Sequence, residues 1–132
     1  MKTTYNAVQK EVETKFVLGE TKSRDGNKQG LLILSITTAK GYNGGVRTSA
    51  MVNFHSEGFT QHAFSFSGDK NGDFGKTVIQ TPAKRVTENL LKACHAEAQV
   101  CFNTVLSEAL AHYDITQEQY LSFHETNLGA LA

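Results

Sequence analysis

Two segments, Val46 to His55 and Phe59 to Phe66, carry the side chains best suited to holding a ligand. Ser56-Glu57-Gly58 between them reads as a tight turn, so the two should pair as an antiparallel hairpin. With Ser56 opposite Phe59, the register sets Asn53 against His62, Met51 against Phe64 and Ser49 against Phe66. Arg47, Ser49, Met51, Asn53 and His55 then share a face with Phe66, Phe64, His62 and Thr60. An Arg that holds phosphate beside rings that stack bases is the chemistry of a single-strand platform, where each stacked base contributes about 1 to 3 kcal/mol. Phe64, Phe66 and Met51 are equally what a core needs beneath a helix.

A second anion-binding candidate is Lys84 with Arg85. Thr81-Pro82 has the form of a helix start, with Thr81 as cap and Pro82 in the first helical position, where its missing N–H costs nothing. Lys84 and Arg85 would then add cations to the positive end of that helix, against the usual preference for acids there. Charge along the chain points the same way. Residues 1–85 carry twelve Lys and Arg against seven Asp and Glu, a net +5, whereas residues 86–132 are −5. Such a division can draw phosphates to one side of the molecule, or orient self-association.

Other chemistries find less in the sequence. Gly41-Tyr42-Asn43-Gly44-Gly45 could offer backbone N–H groups to a phosphate but lies between strands, without a following helix N-terminus. Asp69, Asn71 and Asp73 alternate like the opening of a calcium loop, yet Phe74 stands where its glycine belongs and Gln80 where its bidentate acid belongs. The histidines, His55, His62, His95, His112 and His124, have no helical i, i+4 pair, which leaves His55 with His62 as the candidate zinc pair. No nucleophile elbow, activated-Cys context or evident carboxylate pair is present, so a non-catalytic protein without cofactor or metal is expected.

The elements that must position these residues follow from periodicity. The 132-residue length, with one Pro, no Trp and 39% apolar positions, fits a single domain that is strand-rich over 1–80 and helical over 81–132. Val12 to Leu18 alternates as a half-buried strand, Leu31 to Ala39 is apolar enough for a central strand, and Lys76 to Gln80 reads as a short fifth strand after the hairpin. Thr21 to Gly30 and Ser67 to Gly75 are polar reversals. Short links throughout imply an antiparallel meander of four or five strands.

From Thr81 the period changes to helical. Leu90, Leu91, Cys94, Ala98, Cys101, Phe102, Val105, Leu106 and Ala109 make one apolar stripe. Unbroken to Tyr113, that helix would be about 48 Å long in a domain whose radius of gyration is about 14 Å. It must overhang, kink near Asn103-Thr104, or meet a partner; Val100 and Leu110 off the stripe suit a partner, and the kink is an equal alternative. Cys94 and Cys101 share a face about 10 Å apart, beyond disulfide reach, and read as small core residues. Thr116 with Gln119 forms a capping box, flanked by an Ile115–Tyr120 staple, ahead of a short final helix over 117–127. The expected class is therefore α+β, the meander followed by one long and one short helix packed on one face of the sheet.

The longest apolar run, Leu31 to Ile36 broken by Ser35, is far short of the roughly 18 to 20 residues that span a bilayer. The first residues lack the apolar stretch of a secretory signal, so no membrane association and a cytoplasmic setting are expected. A four-stranded meander leading into a long helix, over residues 11–112, resembles in layout the single-strand-binding Whirly, Pur-alpha and transcription-coactivator groups. By element order alone, that resemblance implies a nucleic-acid or nucleotide ligand. Arg47, Asn53, His62, Phe64, Phe66, Lys84 and Arg85 are the expected contacts. The short length and polar loops are also similar to small phage or mobile-element accessory proteins. That likeness implies a homodimer or larger homo-oligomer acting as a sponge for a nucleotide signal, or an anti-defence inhibitor of a host protein.

Overall fold

The structure is a computed structural model, and it describes residues 2–22, 26–27, 29–40, 45–56, 59–66, 73–78 and 86–131, with residues 2, 59–66, 73–78 and 130–131 as backbone. Six strands, β1 (Lys2–Asn6), β2 (Glu11–Lys22), β3 (Gln29–Lys40), β4 (Val46–Ser56), β5 (Phe59–Phe66) and β6 (Asp73–Val78), form one antiparallel sheet. Helices α1 (Glu88–Ala98), α2 (Phe102–His112) and α3 (Gln117–Asn127) follow, with a 3₁₀ turn (Gln99–Cys101) between the first two. The class is α+β, a meander followed by helices.

The first five strands lie in chain order, and β6 departs from a simple meander. It pairs with β4 instead of β5: residues 50–56 of β4 take β5, while Val46, Thr48 and Ser49 take β6. Because β3 occupies the other side of β4 along its whole length, β5 and β6 lie end to end on one edge and run the same way. β1 is the other departure. Its residues Lys2-Thr3-Thr4-Tyr5-Asn6 show little apolar alternation, and pairing with β2 holds them in the sheet.

The helix-covered face carries the main core. Phe16, Leu18, Leu32, Leu34, Ile36, Ala50 and Val52 from the sheet pack against Ala98, Phe102, Val105, Ala109, Leu110 and Tyr120. The Phe16 and Phe102 rings meet edge to face at 6.3 Å, an arrangement the ring quadrupoles favour. Val12, Val46, Leu91 and Cys94 form a smaller cluster at the α1 end. Leu18 joins the main core through a β-bulge, since the pairing with β3 steps from Val17 to Gly19.

The long apolar stripe resolves into two 11-residue helices. The break comes at Gln99–Cys101, just before the expected Asn103-Thr104. Three residues wound at 120° in place of 100° turn α2 by about 60° relative to α1. That rotation carries Leu110 onto the core, where it is 5% exposed, and leaves Val100 at 84%. One of the two side chains expected to contact a partner is thus core. A lone exposed Val is ordinary on a protein surface.

The helix ends follow local rules. α1 begins at Glu88, with Thr87 accepting from the Leu90 N–H. The expected start at Thr81-Pro82 lies outside the described residues, but a helix continuous from there is excluded, because Val86 and Thr87 are not helical. Thr87 provides the cap and Glu88 the acid of the first turn. α2 stops in a Schellman motif: Ile115 N–H donates to Leu110 C=O at 2.9 Å and Asp114 N–H to Ala111 C=O at 3.2 Å, with Asp114 left-handed at φ 54°. Thr116 and Gln119 then form the expected capping box, with Ile115 and Tyr120 against the same core.

Candidate functional site

The face of the sheet turned away from the helices is built from cross-strand rows. Glu11, Ala39 and Arg47 form one, Glu13, Thr37 and Ser49 the next, then Lys15, Ser35 and Met51, then Val17, Ile33 and Asn53. At one corner Phe123 and Leu128 cover Val17 and Ile33. Toward β4 the face stays open, with Met51 37% exposed and Arg47, Ser49 and Asn53 half-buried. Hydroxyls, an amide and a guanidinium therefore stand on a rigid, pleated support.

Cations gather at one end of this support. Arg47 stands in the row with Glu11 and Ala39, while Lys10, in the turn before Glu11, and Lys40, opposite Val46, lie one residue beyond it at the same end of the sheet, where alternation assigns Lys40 to the other face. Lys10 is held there by its turn. Asn6 Oδ1 accepts from the Val8 and Gln9 N–H groups at 3.0 and 2.9 Å, and Lys10 itself has φ 54°. Lys10 and Lys40 are exposed. Glu11 is the acid of the row, and burial together with neighbouring Glu13 raises its carboxyl pKa, so ionising it there is costly. β6 leaves the sheet at this same end, because Val78 pairs with Val46.

The sequence-predicted residues fall into three groups. Arg47 and Asn53 stand on the open face, and the backbone of His62 pairs with Asn53 as expected. Phe64 and Phe66 do not follow the expected register. Ala63 is an extra residue in β5, so Phe64 falls opposite Val52 and Phe66 opposite Ala50, and it is Val52 and Ala50 that are buried on the helix-covered side. The bulge thereby splits the proposed platform between the two faces. Lys84 and Arg85 lie outside the described residues and precede the Thr87 cap, so they are not in the first turn of α1. Of the candidate zinc pair, His55 stands opposite Thr60 and His62 opposite Asn53, and among the described residues no group of three His, Cys, Asp or Glu could hold a metal.

Sequence reasoning missed a buried polar chain on the helix side. Thr3 and Thr14 hydroxyls are 2.7 Å apart, Thr14 is 2.7 Å from His95 Nε2, His95 Nδ1 is 2.8 Å from Thr38, and Thr38 is 2.6 Å from Thr48. One imidazole from α1 thus joins four strands. His95 is 2% exposed, and burial lowers its pKa, which keeps the ring neutral with one nitrogen donating and the other accepting. A cavity of about 330 Å³ lies beside it, lined in part by Thr3, Tyr5, Lys92 and Gln99. A second histidine, His124, accepts the Val17 N–H at Nδ1 (3.0 Å) and is also kept neutral by burial.

Among the described residues, no helix is long and apolar enough to cross a membrane. No family model, curated protein or solved structure matches this chain.

Proposed function

We propose that this chain is a non-catalytic binding protein for a phosphate-bearing ligand, a single-stranded nucleic acid or a nucleotide, taken up on the open sheet face at its cationic end. The observation that carries the reading is Arg47 on the open face, in a row with Ala39 and Glu11, with Lys10 and Lys40 one residue beyond that row at the same end of the sheet. Phosphate oxygens answer to such a cluster, and Arg adds a two-pronged donor. Ser49, Thr37 and Asn53 continue the face as hydrogen-bonding positions for sugar and base edges. His62, whose backbone stands opposite Asn53, is the aromatic position retained from the sequence-based set. Phe64 and Phe66, whose backbone pairs with Val52 and Ala50, are not assigned to the ligand.

Fluorescence anisotropy with a labelled single-stranded oligonucleotide and with a labelled nucleotide tests the reading. The wild type is expected to bind one of them at low salt, and the double variant Lys40→Ala, Arg47→Ala to lose most of that binding while keeping its thermal midpoint. Binding that survives the double variant, or no binding of either probe, refutes the site. Native mass with absorbance at 260 nm of the purified protein separates a monomer on a polymer from an oligomer holding small nucleotides.

A further inference from the structure

At the opposite end of the sheet a larger cavity, about 670 Å³, opens between the end of β2, the start of β3, the α2–α3 turn and the outer turns of α3. Its floor is apolar, from Leu18, Leu32 and Ile115. Tyr113 and Phe123 line it with aromatic side chains, and Glu20 and Asp114, both exposed, bring two carboxylates, of which Glu20 Oε1 also accepts from Gln29 Nε2 at 2.6 Å. Ser122, Thr126 and Asn127 add neutral polar groups, and among the described residues no Lys, Arg or His belongs to the lining. Lys22, next along β2, is exposed but not in the wall.

The geometry points to a binding site for a small organic ammonium ion, an amine carried on an aromatic or aliphatic frame. Three independent features lead there. The volume falls within the range of about 300 to 1,000 Å³ usual for small-molecule sites. The apolar floor suits a hydrocarbon frame, and aromatic faces with carboxylates attract a cation while repelling an anion. Finally, Asp114 is fixed at the wall by the Schellman turn that ends α2, with a left-handed backbone that non-glycine residues seldom adopt. Glycine is the usual occupant of that position, and here it would bring no charge to the cavity. The site is separate from the proposed phosphate site: Glu20 is nine residues on from Glu11 along β2, about 30 Å of extended chain.

The test uses three probes of nearly one shape: phenethylamine, 2-phenoxyethanol as a neutral analogue, and 3-phenylpropionate. Titrations followed by ¹H–¹⁵N shifts are expected to show saturable binding of the amine, with shifts centred on Gly19, Thr21, Asp114, Ser122 and Thr126, and no saturation by the carboxylate. Asp114→Asn keeps a residue that tolerates the left-handed conformation, and Glu20→Gln removes the second charge. Each should weaken the amine roughly two- to fivefold, the range of a solvated ion pair, and the double variant should bind amine and neutral probe alike. Ser122→Trp, at an exposed helical position, should fill the cavity and abolish binding. No saturation by the amine, equal affinity for the neutral probe in the wild type, or undiminished binding by Ser122→Trp overturns the proposal. Arg47→Ala should bind the amine normally, so the two sites succeed or fail separately.

Discussion

The polar chain through His95 allows a quantitative prediction, because the wiring decides which substitutions strand a buried group. Replacing Thr38 by Val keeps the shape but removes the hydroxyl between His95 Nδ1 and Thr48. Both partners are buried, at 2% and 1% exposure, and each buried polar group left unpaired costs about 1 to 3 kcal/mol, giving about 2 to 6 kcal/mol in all. His95→Phe differs. It removes two hydrogen bonds, yet Thr14 keeps Thr3 and Thr38 keeps Thr48, so neither hydroxyl is orphaned and the loss is about 1 to 3 kcal/mol at 0.5 to 1.5 per bond. In the His95→Phe background, Thr38→Val strands Thr48 alone and should cost about 1 to 3 kcal/mol. The coupling between the two sites is then about 1 to 3 kcal/mol, well beyond the 0.3 to 0.5 kcal/mol within which unconnected sites add. Urea unfolding of the four proteins at pH 7.5, followed by circular dichroism, measures it. Additivity within 0.5 kcal/mol would show that the chain does not act as a connected unit.

The proposed phosphate site makes a salt prediction: three cation–phosphate contacts on a single strand give a log–log slope of about −2, a loss of about 20-fold between 50 and 200 mM salt. Arg47→Ala should reduce the slope to about −1.4, and a slope that does not change in any of the three single variants would contradict the assignment. For pH, burial lowers the pKa values of His95 and His124. Below the unfolded value of about 6.5 the unfolded chain therefore holds more protons than the folded one, and stability falls with acidity by at most about 1.4 kcal/mol per pH unit for each ring. A urea midpoint that is flat from pH 7 to 5 would refute that linkage. Gly30→Ala should destabilise by about 1 to 3 kcal/mol, because a Cβ there runs into the His55 carbonyl oxygen and the Phe54 ring; a thermal midpoint unchanged from wild type would show that β3 can shift to make room. Thr116→Ala should cost about 1 kcal/mol through loss of the capping hydrogen bond to Gln119 N–H, and an unaltered thermal midpoint would argue against a stabilising role for that cap.

Legibility in the sequence followed the range of the interactions. The capping box at Thr116 and Gln119 and the apolar stripe of α1 and α2 are set by residues three and four apart, and both could be read directly. The β4–β5 pairing could be read at Asn53 and His62, nearest the turn, but not beyond Ala63, because a single extra residue leaves no mark on composition. Past that bulge the register moves by one residue, which is why Phe64 and Phe66 stand opposite Val52 and Ala50 and not Met51 and Ser49. Thr81-Pro82 and Thr87 offer comparable start signals, and local rules alone do not rank them. His95 was invisible for another reason: its partners Thr14 and Thr38 lie 81 and 57 residues away, so no spacing rule connects them. The cationic end has the same origin, since strand pairing alone brings Lys10, Lys40 and Arg47 to one end of the sheet.

β1 covers β2 as far as the Lys2–Lys15 pair, and just beyond it the Val17 amide donates to an imidazole from α3. The final helix thus acts as a stopper on a strand that would otherwise offer its bonding groups to any extended peptide nearby. A truncated product ending before Thr116 would forfeit more than its share of core: it would present a bare seam able to recruit further copies. The hazard of such a fragment should grow with its concentration, as seeded growth does, and mixing it with the intact protein should leave the latter monodisperse.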